Sequence, residues 1–143
     1  MVGGRLNTTD IGSHSAILGG IENTAIGAYS SIVGGDGNIV SQNCNYSFIG
    51  GGRNNTLSGI TSTIVGGCGN TTLEGLSGIL GGAGNIVSHQ CSFIVGNNIS
   101  TSCPNTTYVN CLSIVNLPSS SAGLPSGSVY YCATDSNRMY FVP

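Results

Sequence analysis

The chain has no lysine and no tryptophan, and charged residues fill only 6% of its 143 positions, with a formal net charge of −2. Its three arginines (Arg5, Arg53, Arg138) are scattered. Nothing here tracks a phosphate backbone, so nucleic acid is excluded as a partner. No run approaches the roughly 20 apolar residues of a membrane-spanning helix, so no membrane insertion is expected. The first residues also lack the basic start and apolar stretch of a secretory signal, so secretion by that route is not expected unless a leader has been removed. Disorder goes with high net charge and low hydrophobicity, whereas this chain is 39% hydrophobic. An ordered fold is therefore expected.

What the chain does have is a beat. Pairs of large apolar residues recur every fifteen or sixteen positions, at Ile17-Leu18, Ile32-Val33, Phe48-Ile49, Ile64-Val65, Ile79-Leu80 and Ile94-Val95. Each pair precedes two glycines, at Gly19-Gly20, Gly34-Gly35, Gly50-Gly51, Gly66-Gly67, Gly81-Gly82 and a degenerate Gly96-Asn97. Met1-Val2-Gly3-Gly4 shares the register. A self-similar period this short means stacked coils of backbone, each unstable alone.

Adjacent residues of a strand point to opposite faces, so one member of each apolar pair faces out of the coil. Over six or seven coils at ~4.8 Å each, the outer members form an apolar stripe about 30 Å long, which a soluble monomer rarely exposes. The expected partner is another copy of the chain. The glycines mark a corner where a Cβ would clash or φ is positive. Four residues after the first glycine stands asparagine, at Asn23, Asn38, Asn54, Asn70 and Asn85, with Asn7 at the start. Stacked asparagines bond from coil to coil and form a ladder of turns. After each asparagine, segments such as Asn38-Ile39-Val40-Ser41 and Asn85-Ile86-Val87-Ser88 read as a second short strand. The expected fold is all-β, a parallel β-solenoid or β-roll of 15–16-residue coils, each with two strands and two corners.

The run from Ser15-Ala16-Ile17-Leu18-Gly19-Gly20 to Ser31-Ile32-Val33-Gly34-Gly35 resembles the head repeats of YadA-type trimeric adhesins, and similar repeats occur in fibre and appendage proteins of phages and large viruses. The resemblance covers roughly residues 1–100. It implies a coil interior of short aliphatics and three chains bundled side by side, and it brings no catalytic motif.

Beyond the repeats, Cys103-Pro104-Asn105 breaks the beat, and Leu117-Pro118 to Pro125-Ser126-Gly127 reads as a proline and glycine linker. Ser128–Ala133 and Arg138–Val142 read as two strands around Thr134-Asp135-Ser136-Asn137. The expected organisation is a solenoid over 1–102, a neck over 103–127 and a hairpin over 128–143 that caps and trimerises the rod. Asn116-Leu117-Pro118 with Gly123-Leu124-Pro125-Ser126-Gly127 also resembles the C-terminal ends of many phage and viral fibre proteins.

Candidate chemistry is sparse. Cys44, Cys68, Cys91, Cys103, Cys111 and Cys132 follow no zinc-ligand spacing. Counted from the glycines, Cys44 and Cys91 share one phase three coils apart, ~14 Å and beyond disulfide reach, while the C-terminal three remain free to pair. Glu22 and Asp36 fall at near-equal phases, a spacing of about 5 Å that a retaining glycosidase uses. Arg5 and Arg53 extend the same column, so Arg5, Glu22, Asp36 and Arg53 read as a mixed-charge surface ladder. His14 and His89 lie far apart, and no serine sits in a Gly-x-Ser-x-Gly elbow. Six sequons (Asn7, Asn45, Asn54, Asn70, Asn98, Asn105) follow from an asparagine-rich composition. Tyr29 and Tyr46 are expected to pack between neighbouring chains, with sugar stacking as the other role.

No catalytic residue, cofactor or metal is expected. The reading is a homotrimeric rod of a viral or phage fibre, at the virion surface or extracellular, presenting an attachment surface to a host glycan or protein receptor and joined to other virion proteins. An extracellular adhesin or an ice-binding solenoid is the alternative, the latter drawing on Thr8-Thr9, Thr24, Thr56 and Thr71-Thr72. A glycan-cleaving fibre is third.

Overall fold

A computed structural model describes residues 3–10, 14–115, 117–132 and 138–142, without the side chains of Tyr131, Cys132 and Arg138. Met1-Val2, Asn116, the turn residues Thr134–Asn137 and any pairing of Cys132 lie outside the described residues. The chain divides into two compact units, residues 1–111 and 112–143.

The first unit is a parallel β-solenoid of about seven turns, in which each coil gives one short strand to each of two sheets. The first sheet stacks β1 (Thr8–Thr9), β3 (Thr24–Ala25), β5 (Ile39–Val40), β7 (Thr56–Leu57), β9 (Thr71–Thr72) and β11 (Ile86–Val87). The second stacks β2 (Ala16–Ile17), β4 (Ser31–Ile32), β6 (Phe48–Ile49), β8 (Thr63–Ile64), β10 (Gly78–Ile79), β12 (Phe93–Val95) and β13 (Thr107–Val109). Strands this short are held by backbone bonds running from coil to coil along the stack, as in Thr56 N–H to Asn70 O and Thr63 N–H to Ser77 O.

Coil length varies more than the sequence suggests. Ile32 pairs with Ile49, a coil of seventeen residues, whereas Ile49, Ile64, Ile79 and Ile94 follow at fifteen. The two added residues swell the corner at Gln42-Asn43-Cys44, where Cys44 N–H closes a turn onto Ser41 O and the thiol folds into the core. Gly27 makes room for this bulge in the coil below, since a Cβ there would lie 2.4 Å from the Cys44 carbonyl oxygen.

The core is a file of isoleucines, Ile17, Ile32, Ile49, Ile64, Ile79 and Ile94, facing Ala25, Val40, Leu57, Thr72 and Val87. Two hydrogen-bonded files flank it. At the glycine corner Asn7, Asn23, Asn38, Asn55, Asn70 and Asn85 are stacked and buried. Each amide oxygen accepts from the next asparagine's N–H at 3.0–3.1 Å, and each Nδ2 donates to glycine carbonyls, as Asn38 does to Gly34 and Gly52. The third coil corrects the sequence reading here. Asn55, not Asn54, is the ladder member, because Gly50-Gly51-Gly52 offers two ways to count and Gly51 is the residue equivalent to Gly19, Gly34 and Gly66. Asn54 stands exposed with φ 54°.

The second glycine of each corner, not the first, carries the conformational demand. Gly20 has φ 91°, and a Cβ on it would come 2.2 Å from the Gly35 carbonyl oxygen. At the opposite corner runs a second polar file that the sequence analysis did not single out. Ser30, Ser47, Ser62, Ser77 and Ser92 are buried; Ser47 N–H donates to Ser30 Oγ at 3.1 Å, and Ser62, Ser77 and Ser92 repeat the bond upward.

The coil beat continues past residue 102. Cys103-Pro104-Asn105 forms the second corner of the seventh coil, and β13 pairs in register with β12. Proline fits because at this corner the following residue joins the ladder, as Thr61 N–H does to Asn45 O and Asn105 N–H to Gln90 O. In the second unit β14 (Val129–Cys132) and β15 (Arg138–Phe141) form the expected antiparallel hairpin, with Tyr130 opposite Tyr140 and their rings 5.7 Å apart.

Candidate functional site

With the solenoid interior packed, the candidate surfaces of the first unit are the outer positions of its two sheets and its corners. The second sheet presents two outward columns, one on each side of the core isoleucines. The column after the core runs Leu18, Val33, Gly50, Val65, Leu80, Val95 and Val109, and its aliphatic members are 36–56% exposed. The column before it runs Ala16, Ser31, Phe48, Thr63, Gly78, Phe93 and Thr107.

This refines the expected pairing of Phe48-Ile49. Ile17, Ile32, Ile64, Ile79 and Ile94 are the buried first members of their pairs, but in the third coil the buried member is the second, Ile49, and Phe48 faces out. Its ring edge lies over Gly50, which takes the aliphatic place in the column; Phe93 covers Gly78 in the same way, where a Cβ would come within 2.6 Å of the ring. Not one of the fourteen outward positions on this sheet is charged.

The first sheet's outer face differs. Thr8, Thr24, Ile39, Thr56, Thr71 and Ile86 stand in one register-matched file. Thr72 points inward, and its hydroxyl is buried without a hydrogen-bond partner. Thr9 occupies the equivalent inward place in the first coil.

Charge gathers at the corners, and the expected ladder is re-phased there. The bridged column is Arg5, Ile21, Asp36, Arg53, Cys68 and Ala83, so Glu22 falls one residue out of line, at φ 55°, and does not pair with Asp36 as two acids of one site. The Arg53 guanidinium instead reaches Cys68 Sγ at 3.9 Å. Cys44 and Cys91 do not share a phase either, because the enlarged third coil separates them. Cys91 belongs to a column of left-handed corner residues (His14, Tyr29, Tyr46, Thr61, Leu76, Cys91, Asn105), whereas Cys44 is inside. Burial pushes the Cys44 thiol up. Cys103 is exposed, and hydrogen bonds from Thr106 Oγ1 at 3.3 Å and Tyr108 OH at 3.1 Å hold its thiol below the ordinary range.

The left-handed column holds a stacked ladder of rings. His14 lies on Tyr29 at 4.9 Å and 5°, and Tyr29 on Tyr46 at 5.1 Å and 4°. The inner ring faces are therefore occupied by neighbours in the same chain. His89, by contrast, bonds Thr101 Oγ1 at 3.1 Å through Nδ1. Further along the same corner a hollow of about 460 Å³ opens over the fourth and fifth coils, lined by Ser58, Gly59, Ile60, Thr61, Leu73, Glu74, Gly75, Leu76 and Gln90.

Of the six sequons, Asn7 and Asn70 are buried ladder members, with Asn70 Nδ2 donating to Gly66 and Gly82. A glycan on either would dismantle the corner. Among the described residues no cluster of histidine, cysteine and acidic side chains could hold a metal, and no helix is long and apolar enough to cross a membrane. No family model matches the chain, and no curated protein matches it in sequence.

Proposed function

We propose that the chain is the rod of a homotrimeric fibre or appendage of a virus or phage, at the virion surface or extracellular, extending and presenting an attachment surface to a host glycan or protein and joined to other virion proteins. The observation that carries this reading is the uncharged outer face of the second sheet, with Leu18, Val33, Val65, Leu80, Val95 and Val109 in file. A face repeating every ~4.8 Å over seven strands is matched by another face of the same pitch, and the nearest such face belongs to a second copy. The resemblance to trimeric adhesin heads and viral fibres supports three copies and the appendage role. The hairpin β14–β15 then holds the three chains in register and closes the rod. Many weak contacts repeated along three chains give attachment by avidity.

Native mass measurement over a dilution series tests the reading. A trimer is expected, reduced to monomer by Val65→Lys and unchanged by Thr56→Lys on the first sheet. A dilution-indifferent monomer of the unaltered chain sinks it.

One observation favours a second reading. Four of the six places in the outer file of the first sheet are threonine, at Thr8, Thr24, Thr56 and Thr71, as an ice-binding face requires, although Ile39 and Ile86 interrupt it. Thermal hysteresis lost in Thr56→Lys is the result that would support it.

A further inference from the structure

We propose that the chain completes its fold in a cytosol, away from the machinery that attaches N-linked glycans, so an appendage built from it reaches the particle surface without passing through a secretory pathway. The six sequons fall into distinct sets once they are placed on the solenoid. Asn54, Asn98 and Asn105 are exposed at corners and are not members of the asparagine ladder, so a sugar on any of them breaks none of its bonds. Asn70, in the sequon Asn70-Thr71-Thr72, lies wholly buried within the ladder.

Glycan transfer forms a bond from the asparagine Nδ2 to the anomeric carbon of the sugar; the nitrogen gives up one hydrogen as a proton, and the lipid diphosphate carrier departs from that carbon. Both Nδ2 hydrogens of Asn70 are already engaged, one on Gly66 O at 3.2 Å and one on Gly82 O at 2.9 Å. The space is closed as well. A Cβ added to Gly67 would come 2.6 Å from this nitrogen, so even one extra carbon on the neighbouring glycine collides with it. Asn70 therefore carries a glycan or joins the ladder, but not both. Asn7 repeats the arrangement at the first coil, with Nδ2 donating to Gly3 and Gly20.

The order of synthesis decides which comes first. Gly82 and Asn85, which enclose the Asn70 amide, follow it by twelve and fifteen residues. At ~5–20 residues per second of translation the sequon stays open for on the order of a second, and a coil without its neighbour has no stable structure to hide it. In a glycosylating lumen the sugar is thus attached before the corner closes. The thiols agree with a reducing compartment. The core cluster around Cys44 includes no second cysteine, and Cys68 and Cys91 stand at opposite corners of the coil, so these three cannot pair with one another within the chain.

The test makes the full chain in one animal cell line, once as it is and once behind a secretory leader. Folded protein is scored as the protease-resistant fraction, and glycan on Asn70 by mass spectrometry of its peptide. The leaderless chain is expected to be resistant. The leader-directed chain is expected to carry a glycan on Asn70 and to lose resistant yield by at least about tenfold, the effect of two buried hydrogen bonds lost with the corner. Thr9→Val combined with Thr72→Val removes both buried sequons and leaves every ladder amide in place, and it should restore resistance behind the leader even with glycans on Asn54, Asn98 or Asn105. Tunicamycin, which blocks transfer, should do the same for the unaltered chain.

Resistant leader-directed protein, with Asn70 either bare or occupied, overturns the proposal. So does a leader-directed chain that stays protease-sensitive under both rescues, since its failure then has another cause. The compartment is argued from the burial of Asn70 and holds for one chain or three, so native mass of the leaderless protein judges the trimer reading separately.

Discussion

Replacing Asn55 with alanine separates the two ways of counting the third coil. The Asn55 amide donates to Asn38 Oδ1, Gly51 O and Gly67 O at 3.0–3.1 Å, and its Oδ1 accepts from Asn70 N–H at 3.0 Å. Alanine strips the buried Asn70 N–H of this acceptor and the Gly51 carbonyl of this donor. At about 1–3 kcal/mol for each buried group so stranded, and with a void added, the loss amounts to about 3–5 kcal/mol. Asn54 is exposed and contributes only a tolerance for left-handed backbone, so Asn54→Ala should cost about 1 kcal/mol. Urea unfolding followed by far-ultraviolet circular dichroism, at one protein concentration because any association adds to stability, measures both. A loss in Asn54→Ala equal to or larger than that in Asn55→Ala would refute the ladder assignment.

Three further outcomes follow from the interior and the corners. Thr72→Val removes a buried hydroxyl without a partner at nearly constant shape, and should raise stability by about 1 kcal/mol in the same assay. Gly20→Ala drives a Cβ into the Gly35 carbonyl at a positive φ and should cost about 2–4 kcal/mol, whereas Gly3→Ala, with open space around its Cβ, should be near neutral. Thiol alkylation should rise with pH earlier at Cys103 than at Cys44. Hydroxyl bonds from Thr106 and Tyr108 favour the Cys103 thiolate, so its reactive form appears at lower pH; burial opposes ionisation of Cys44, which should react only on unfolding. Mass spectrometry of iodoacetamide-treated protein over a pH series reads both.

The stacked coils, the two strands per coil and the division of each apolar pair between core and surface were legible in the sequence, because strand alternation and a glycine-marked period constrain them strongly. Phase was harder to read wherever a corner absorbs extra residues. The triple glycine before Arg53 hid Asn55 behind Asn54, and the seventeen-residue coil placed Cys44 in line with Cys91 when strand pairing does not. Glu22 stands one place further from its glycines than Arg5, Asp36 and Arg53 stand from theirs, so Ile21 takes the place between Arg5 and Asp36. The serine file escaped notice because serine is common throughout the chain; its signal was a serine two places before every core isoleucine from Ile17 to Ile94. Pro104 looked like a break because a proline inside a strand would be one, but it lies at a corner position whose amide the ladder does not use.

The two polar files flanking the isoleucines reach only from one winding to the next: Asn70 touches Asn55 and Asn85, and Ser77 touches Ser62 and Ser92. Span is thereby uncoupled from architecture. Excising residues 66–80 would splice Val65 onto Gly81 with asparagine, serine and isoleucine again meeting their own kind, giving a shorter molecule with the same cross-section. Duplicating that segment would lengthen it by one step, so reach can be adjusted in whole increments without redesigning the interior.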